Sequence, residues 1–276
     1  VPVSLRTMQR SAWASLRARG DVVPVSDTST LSVSPASSWP AWSLIVTSVW
    51  FWAAATSESS RLSLTADVRL ILTGGIGIYE AIEQMVNEVI PLVKLSNVAF
   101  LHFESDEWGG MEFLKAPKAR LVCSDLSSKL NLVGWYNVPA DHVSFWDNET
   151  LSTGKRKFRF IMTPHVHHWD SMMILEESTK SLFTSDLFIQ PGNNSPVVSD
   201  DLSENMIGLY RAVGIFASEK PVRQTASRLE KLAPEMVFPM HGSCIDKSTF
   251  PKYVRALMDK EFAFDGMLLG QKLETG

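Results

Sequence analysis

The most informative stretch of this sequence for the fold is His102-Phe-Glu-Ser-Asp-Glu107, which directly follows an apolar run at residues 97–101. His102, Glu104 and Asp106 have side chains that bind metal ions, and they stand at every second position. Alternate residues leaving a strand point the same way, so these side chains are expected to converge where the chain turns. The spacing predicts a metal site at the end of a strand.

Further metal-binding side chains share one setting, because each comes just after a short apolar segment. They are His167 after residues 158–163, Asp186 after residues 181–184 and His241 after residues 236–240. Five of the six histidines of the chain lie in or beside these loops, and His142 lies apart. One such histidine alone would more often be a strand cap or a core residue, but their clustering favours a metal site.

Taken together, these motifs resemble the diiron domain of flavodiiron proteins. The resemblance rests on H-x-E-x-D from His102, a histidine three residues before Asp170-Ser-Met, Ser185-Asp-Leu-Phe and His241-Gly, and it covers roughly residues 70–265. It implies an α/β fold, the metallo-β-lactamase-like αββα sandwich. It also implies a homodimer and two non-haem iron ions.

The resemblance assigns the metal ligands residue by residue. One iron would be held by His102, Glu104 and His167, the other by Asp106 and His241, and Asp186 would bridge both.

Two departures from the family pattern stand out. Flavodiiron proteins usually continue H-x-E-x-D-H, whereas Glu107 stands at the last position here. The second iron would therefore lose an imidazole ligand and gain either a carboxylate ligand or an open coordination position. A flavodoxin-like FMN domain is not expected in this chain, so electrons would come from an external donor of the rubredoxin or flavodoxin type. Glu107-Trp-Gly-Gly110 is similar to the stand-alone oxygen-binding diiron proteins, which are associated with oxygen sensing and chemotaxis.

The sequence His165-Val-His167-His168 leaves a choice between neighbouring histidines. The family pattern selects His167 as the ligand. His165 and His168 would then orient the ligands or handle protons, since a metal-bound imidazole usually donates its other nitrogen to a nearby acceptor. Either is equally explained as a polar loop residue.

Ligand chemistry favours iron over zinc. Zinc hydrolases of this fold prefer imidazole-rich sets, whereas Glu104 brings this site to three or four carboxylates, which suit iron or manganese better. The leading function is therefore a diiron protein that binds or reduces dioxygen or nitric oxide, as an oxygen sensor with a signalling partner or as an oxidoreductase. The alternatives are a zinc-dependent hydrolase on the same fold and a metal-free binding protein.

Composition limits the remaining function classes. The 276 residues are 45% hydrophobic, which is enough for one large core or two modest ones, and one domain is the simplest interpretation. The net charge of −4 provides no basic surface for nucleic acid. The two cysteines, Cys123 and Cys244, have no zinc-binding or C-x-x-C spacing. The cytoplasm is the default localisation.

The first 69 residues differ in kind from the rest. They contain no lysine, six arginines and five of the nine tryptophans, whereas the remainder has thirteen lysines and seven arginines. One hypothesis is a targeting segment built on the apolar run at residues 41–55. The other, slightly favoured, is translation out of frame, so residues 70–276 are expected to form the diiron domain alone.

Hydrophobic periodicity predicts the remaining elements. Strands are expected at residues 120–123, 158–162, 172–175 and 236–238, with weaker candidates at 62–64 and 68–72. Helices are expected at residues 77–92, 124–132, 202–216, 221–232 and 250–260.

Overall fold

Two β-sheets and three long helices organise the part of the chain that the computed structural model describes. That part comprises residues 42–46, 49–53, 70–72, 87, 91–108, 119–132, 142–154, 156–191 and 197–274, all within one unit, Pro40–Gly276. The strands are β1 (Trp42–Val46), β2 (Val49–Ala53), β3 (Leu70–Leu72), β4 (Asn97–Ala99), β5 (Arg120–Ser124), β6 (Val143–Phe145), β7 (Thr150–Ser152), β8 (Lys157–Met162), β9 (Met172–Glu176), β10 (Ser181–Phe183), β11 (Val197–Val198), β12 (Met236–Phe238), β13 (Cys244–Asp246), β14 (Met267–Leu268) and β15 (Gln271–Lys272).

Three of the helices are long enough to cover a sheet. The helices are α1 (Ser105–Trp108), α2 (Ser203–Val213), α3 (Glu219–Glu230) and α4 (Phe250–Asp259), with a 3-10 turn at Leu92–Lys94 and a π-helical turn at Ser127–Leu132. None of the helices in these described ranges is long and apolar enough to cross a membrane.

The smaller sheet is parallel, with strand order β3-β4-β5-β6. The larger sheet has the order β11-β13-β12-β10-β9-β8-β7 and mixes parallel and antiparallel pairs. Strands β1 and β2 pair with each other in an antiparallel arrangement, so the apolar run at residues 41–55 is extended where it is described.

Alternation along β8 and β9 explains how the larger sheet is buried on both faces. Phe160 and Ile174 point to one core, where they meet Ala99 and Val122 of the smaller sheet. Their neighbours Ile161, Met173 and Leu175 point to the opposite core, formed with apolar residues of α2, α3 and α4. Side chains of a strand alternate between faces, so two layers form from one run of apolar residues. This arrangement confirms the predicted α/β sandwich.

The strands predicted at residues 120–123, 158–162, 172–175 and 236–238 are present, and the first three are each one residue longer. The weaker prediction at 68–72 is a strand at residues 70–72, the part of it that is described, and helix ends differ by a few residues. Helix α3 begins at Glu219 rather than at residue 221, because the Ser218 side chain accepts the Lys220 N–H at 3.2 Å and caps the helix. The helix predicted from residue 124 begins later, since Ser124 closes β5 and accepts the Ser127 N–H at 3.0 Å. The predictions for residues 62–64 and for most of 77–92 lie outside the described residues.

Candidate metal centre

Three strands of the larger sheet deliver side chains to the same edge. Strand β10 is parallel to β12, and β9 runs antiparallel to both β8 and β10, so β8, β10 and β12 point the same way. Their carboxyl ends therefore meet, which places the loops that carry His167, Asp186 and His241 together. The Met172 N–H donates to the Leu101 carbonyl at 2.9 Å, and this contact brings in the loop after β4.

Four of the predicted ligands form a tight cluster at this edge. One ligand atom each of His102, Glu104, His167 and Asp186 lies within 4.8 Å of the other three. Glu104 Oε2 is 2.9 Å from His102 Nε2 and 3.0 Å from His167 Nε2. Asp186 Oδ2 is 2.9 Å from His167 Nε2 and 3.6 Å from His102 Nε2. Imidazole nitrogens and carboxylate oxygens thus converge on one small volume, an arrangement that could hold a metal ion.

The electrostatics of this volume favour a cation. Burial alone lowers the pKa of His102, but the Glu107 carboxylate and hydrogen bonds to Glu104 and Glu107 outweigh it and raise the pKa to about 11. Burial also lowers the pKa of His167, and hydrogen bonds to Asp186 and Glu104 raise it to about 9. The same negative potential that attracts protons to these imidazoles attracts a metal ion.

The two oxygens of Asp186 face different partners. Oδ2 faces His167 and His102, whereas Oδ1 lies 3.6 Å from His241 Nε2. Oδ1 is buried and has no hydrogen-bond partner among the residues that the structure describes. A buried carboxylate oxygen without a partner is costly, and a bound cation would satisfy it. Asp186 therefore presents one oxygen to His102 and His167 and the other to His241.

The sequence also identifies the family of the chain. The sequence matches the model of the ODP family beta lactamase over residues 62–242. The chain belongs to this family. The match confirms the resemblance to a stand-alone diiron domain and covers every predicted ligand from His102 to His241.

Solved structures of two kinds resemble this ODP family chain. Rubredoxin oxygen:oxidoreductase from Desulfovibrio gigas is 20% identical with a TM-score of 0.66, and the similarity covers 77% of this chain and 54% of that one. The apo state of the chemotaxis sensor ODP from T. denticola is 18% identical with a TM-score of 0.64, covering 78% and 86%. The flavodiiron protein from Giardia intestinalis is 19% identical with a TM-score of 0.63, covering 70% and 49%. These likenesses establish the metallo-β-lactamase-like fold.

This chain spans about half the length of the Desulfovibrio gigas protein, 54% of it. No curated protein matches the sequence of this ODP family member.

The remaining predicted residues fall into distinct positions. His241 is 31% exposed at the rim of the cluster, and Asp106 lies in helix α1. His165 is exposed, and its N–H donates to the His168 carbonyl at 2.8 Å within a turn. His168 Nδ1 is hydrogen-bonded to the Asp170 carboxylate, and the His168 ring centroid lies 5.8 Å from that of His102.

Glu107 is buried on the far side of His102. Its Oε2 accepts the N–H groups of Leu101 at 2.8 Å and His102 at 3.1 Å. Its Oε1 lies 3.0 Å from both Ser185 Oγ and His102 Nδ1. The carboxylate therefore faces the backbone and the outer nitrogen of His102 rather than the cluster.

Two supports of the centre depend on contacts between residues that are distant in sequence. Ser185 Oγ lies 2.7 Å from His102 Nδ1, across 83 residues of sequence. The buried Asp170 accepts hydrogen bonds from Ser127 Oγ and His168 Nδ1 and thereby joins the loop after β5 to the loop after β8. Asp170 was a candidate acceptor for a neighbouring imidazole from sequence, with a helix or strand cap as the equal alternative, and Ser185 stands in a family motif. The contacts of Ser127 and Ser185 could not be predicted, because they depend on the fold.

Proposed function

We propose that this chain is a non-haem diiron protein that binds dioxygen or nitric oxide. In this proposal His102, Glu104 and His167 hold one iron, Asp106 and His241 hold the other, and Asp186 is shared between them. The observation that carries it is the placement of the two Asp186 oxygens, one toward His102 and His167 and the other, without a hydrogen-bond partner in the described part of the chain, toward His241.

The donor set supports iron rather than zinc. Carboxylate oxygens make up half of the four-residue cluster, and Asp106 would add another. Hard oxygen donors mixed with imidazoles suit iron, and a shared carboxylate suits two metal ions about 3.5 to 4 Å apart. Two ferrous ions would supply two electrons to a diatomic ligand, so the reaction needs no protein nucleophile.

Exposure suggests how a small ligand and a partner would reach the site. His102 and Asp186 form a buried floor, whereas the Glu104 side chain is 42% exposed and that of His241 is 31% exposed. The Phe216 ring, 6.3 Å from that of His167, packs on one side. The rim of Glu104 and His241 is thus the side from which a diatomic molecule would enter. The same rim would receive electrons from an external rubredoxin- or flavodoxin-type donor.

The test is the response of the iron-loaded chain to dioxygen. Protein loaded with two equivalents of Fe²⁺ without oxygen is expected to develop a new visible absorption band when air is admitted. Asp186→Asn is expected to abolish this band, because the substitution removes the negative charge that both ions would share. Absence of the band from the iron-loaded parent chain would refute the proposal. Uptake of two zinc ions without spectral change would favour the hydrolase.

Sensor and reductase are separated by turnover. With reduced rubredoxin as donor, rapid and sustained oxygen consumption would identify an oxidoreductase. An oxygen-dependent state that persists, with little consumption, would identify a sensor that passes its oxidation state to a signalling partner. The similarity to both a rubredoxin oxygen:oxidoreductase and a chemotaxis sensor makes this the decisive comparison.

A further inference from the structure

Glu107 occupies the position where flavodiiron proteins usually carry a histidine ligand, yet its carboxylate faces away from the cluster. We propose that Glu107 is a positioning residue rather than a metal ligand, and that Glu107 and Ser185 together hold the imidazole of His102 in place. The three side chains, which meet at His102 Nδ1, are called the lock below. The inference rests on the proposed function, since the lock prepares His102 to bind metal.

Four contacts with the backbone and with the other side chains of the lock occupy the two oxygens of the Glu107 carboxylate. An ionised carboxylate has about four acceptor sites. Oε2 accepts two backbone N–H groups, from Leu101 and His102, and Oε1 contacts Ser185 Oγ and His102 Nδ1. The Glu107 side chain is 1% exposed, so turning it toward a metal would leave two buried N–H groups without acceptors. The geometry thus favours a role behind the ligand.

The contacts at Nδ1 determine which nitrogen of His102 would keep its proton when a metal ion binds. Ser185 Oγ donates to Glu107 Oε1 at 3.0 Å, which leaves the Oγ lone pairs free to accept from His102 Nδ1 at 2.7 Å. An acceptor-only carboxylate and this hydroxyl oxygen both require a proton on Nδ1. Nε2 faces the Glu104 and Asp186 carboxylates, so metal binding would displace the proton of Nε2 and leave the proton on Nδ1, as in other metal sites where a carboxylate orients a ligating histidine.

The backbone of Ser185 is consistent with this role. Ser185 has φ +51°, a left-handed conformation that costs a side-chain-bearing residue free energy and that glycine adopts readily. Its carbonyl accepts the Met240 N–H at 2.8 Å, and it directly precedes Asp186 in sequence. The lock therefore ties His102 to the loops that carry Asp186 and His241.

The experiment is an anaerobic Fe²⁺ titration of the full chain against a competing chelator. Glu107→Gln places an amide donor or a weaker acceptor against two N–H groups and is expected to weaken iron binding by about tenfold or more. Ser185→Gly removes the hydroxyl while suiting the left-handed backbone, so iron affinity is expected to fall without a comparable loss of thermal stability. A purely structural role for Ser185 would leave iron affinity unchanged.

Glu176 provides the matched control. It is also a fully buried glutamate that accepts two backbone N–H groups, from Ser178 at 3.1 Å and Thr179 at 2.7 Å, and it lies outside the cluster. Glu176→Gln is expected to lower stability while leaving iron affinity at the parent value. This variant separates loss of a buried carboxylate in general from loss of the lock.

A spectroscopic signature distinguishes positioning from ligation. In Co²⁺-loaded protein the Nδ1 proton of His102 is expected to give a slowly exchanging, strongly shifted NMR signal, which Glu107→Gln and Ser185→Gly both move and Glu176→Gln does not. Unchanged iron affinity in both lock variants would overturn the inference. So would a Co²⁺ spectrum in which Glu107→Gln removes a ligand while the His102 signal stays in place. If the parent chain takes up no Fe²⁺, the proposed function is refuted, and with it the role of Glu107 and Ser185 in metal binding.

Discussion

At the scale of single residues, the centre depends on which atoms of each side chain face inward. His102 offers Nε2 to the cluster and keeps Nδ1 against Ser185 and Glu107. His167 offers Nε2 to Glu104 and Asp186. Neighbouring histidines of the same loop differ in this respect, because His165 is exposed and His168 is bound to Asp170. The orientation of the side chain, and not the residue type, thus distinguishes the proposed ligand His167 from its neighbours His165 and His168.

This difference gives a paired prediction for the loop after β8. His167→Ala is expected to abolish tight iron binding at the His102 side of the centre, because one of two imidazoles is lost. His165→Asn is the control, since asparagine tolerates the φ of +65° at that exposed position. Elemental analysis of both variants checks the outcome, and an unchanged iron content in His167→Ala would contradict the ligand assignment.

The identities of the proposed ligands were predictable from the sequence, but the orientation of every side chain was not. The identities of His102, Glu104, His167 and Asp186 could be predicted, because the family motif fixes them and the fold brings them together. The direction of Glu107 could not, since a carboxylate at that position can face a metal or the backbone equally well from sequence alone. Only the folded loop shows it accepting the N–H groups of Leu101 and His102.

At the scale of elements, strand ends and tight loops set the position of each ligand. The loop that carries His241 is held by Gln190, whose side-chain oxygen accepts the Ser243 N–H at 2.9 Å. Gly242 has φ +90°, and a Cβ atom added there would lie 2.8 Å from the Gln190 carbonyl oxygen. The loop after β12 therefore closes against Gln190 only because residue 242 has no side chain.

Gly242→Ala is accordingly expected to destabilise the protein by roughly 1 to 3 kcal/mol and to lower iron occupancy by displacing His241. Gly208→Ala is the matched control, because Gly208 lies in helix α2 with no atom within 4 Å of the added Cβ. That substitution should stabilise the helix by up to about 1 kcal/mol. Thermal melts and iron content measure both, and equal behaviour of the two variants would refute the close-approach argument.

Element prediction succeeded where burial imposed a pattern. Strands β8 and β9 and helices α2 to α4 were visible because their apolar residues recur with the right period. Short edge strands such as β7 and β11 were missed, since two or three residues at a sheet edge carry too little pattern to be recognised. Their place in the sheet comes from hydrogen bonds to neighbours distant in sequence.

At the scale of the whole molecule, the ODP family match begins at residue 62, near the change in composition. We propose that residues 70–276 form the metal-binding domain and that residues 1–69 are an atypical segment, slightly better explained by out-of-frame translation than by targeting. Comparing all three frames of the encoding DNA tests this. Family-like strands in another frame would support it, whereas the same serine- and tryptophan-rich sequence in close relatives would refute it. The homodimer stays a prediction.

The diiron assignment is tested most directly by the metal content of the full chain, purified without oxygen and measured by elemental analysis. About two iron ions per chain are expected, because Asp186 faces two separate groups of ligands with its two oxygens. Two zinc ions, or no metal at all, would contradict it.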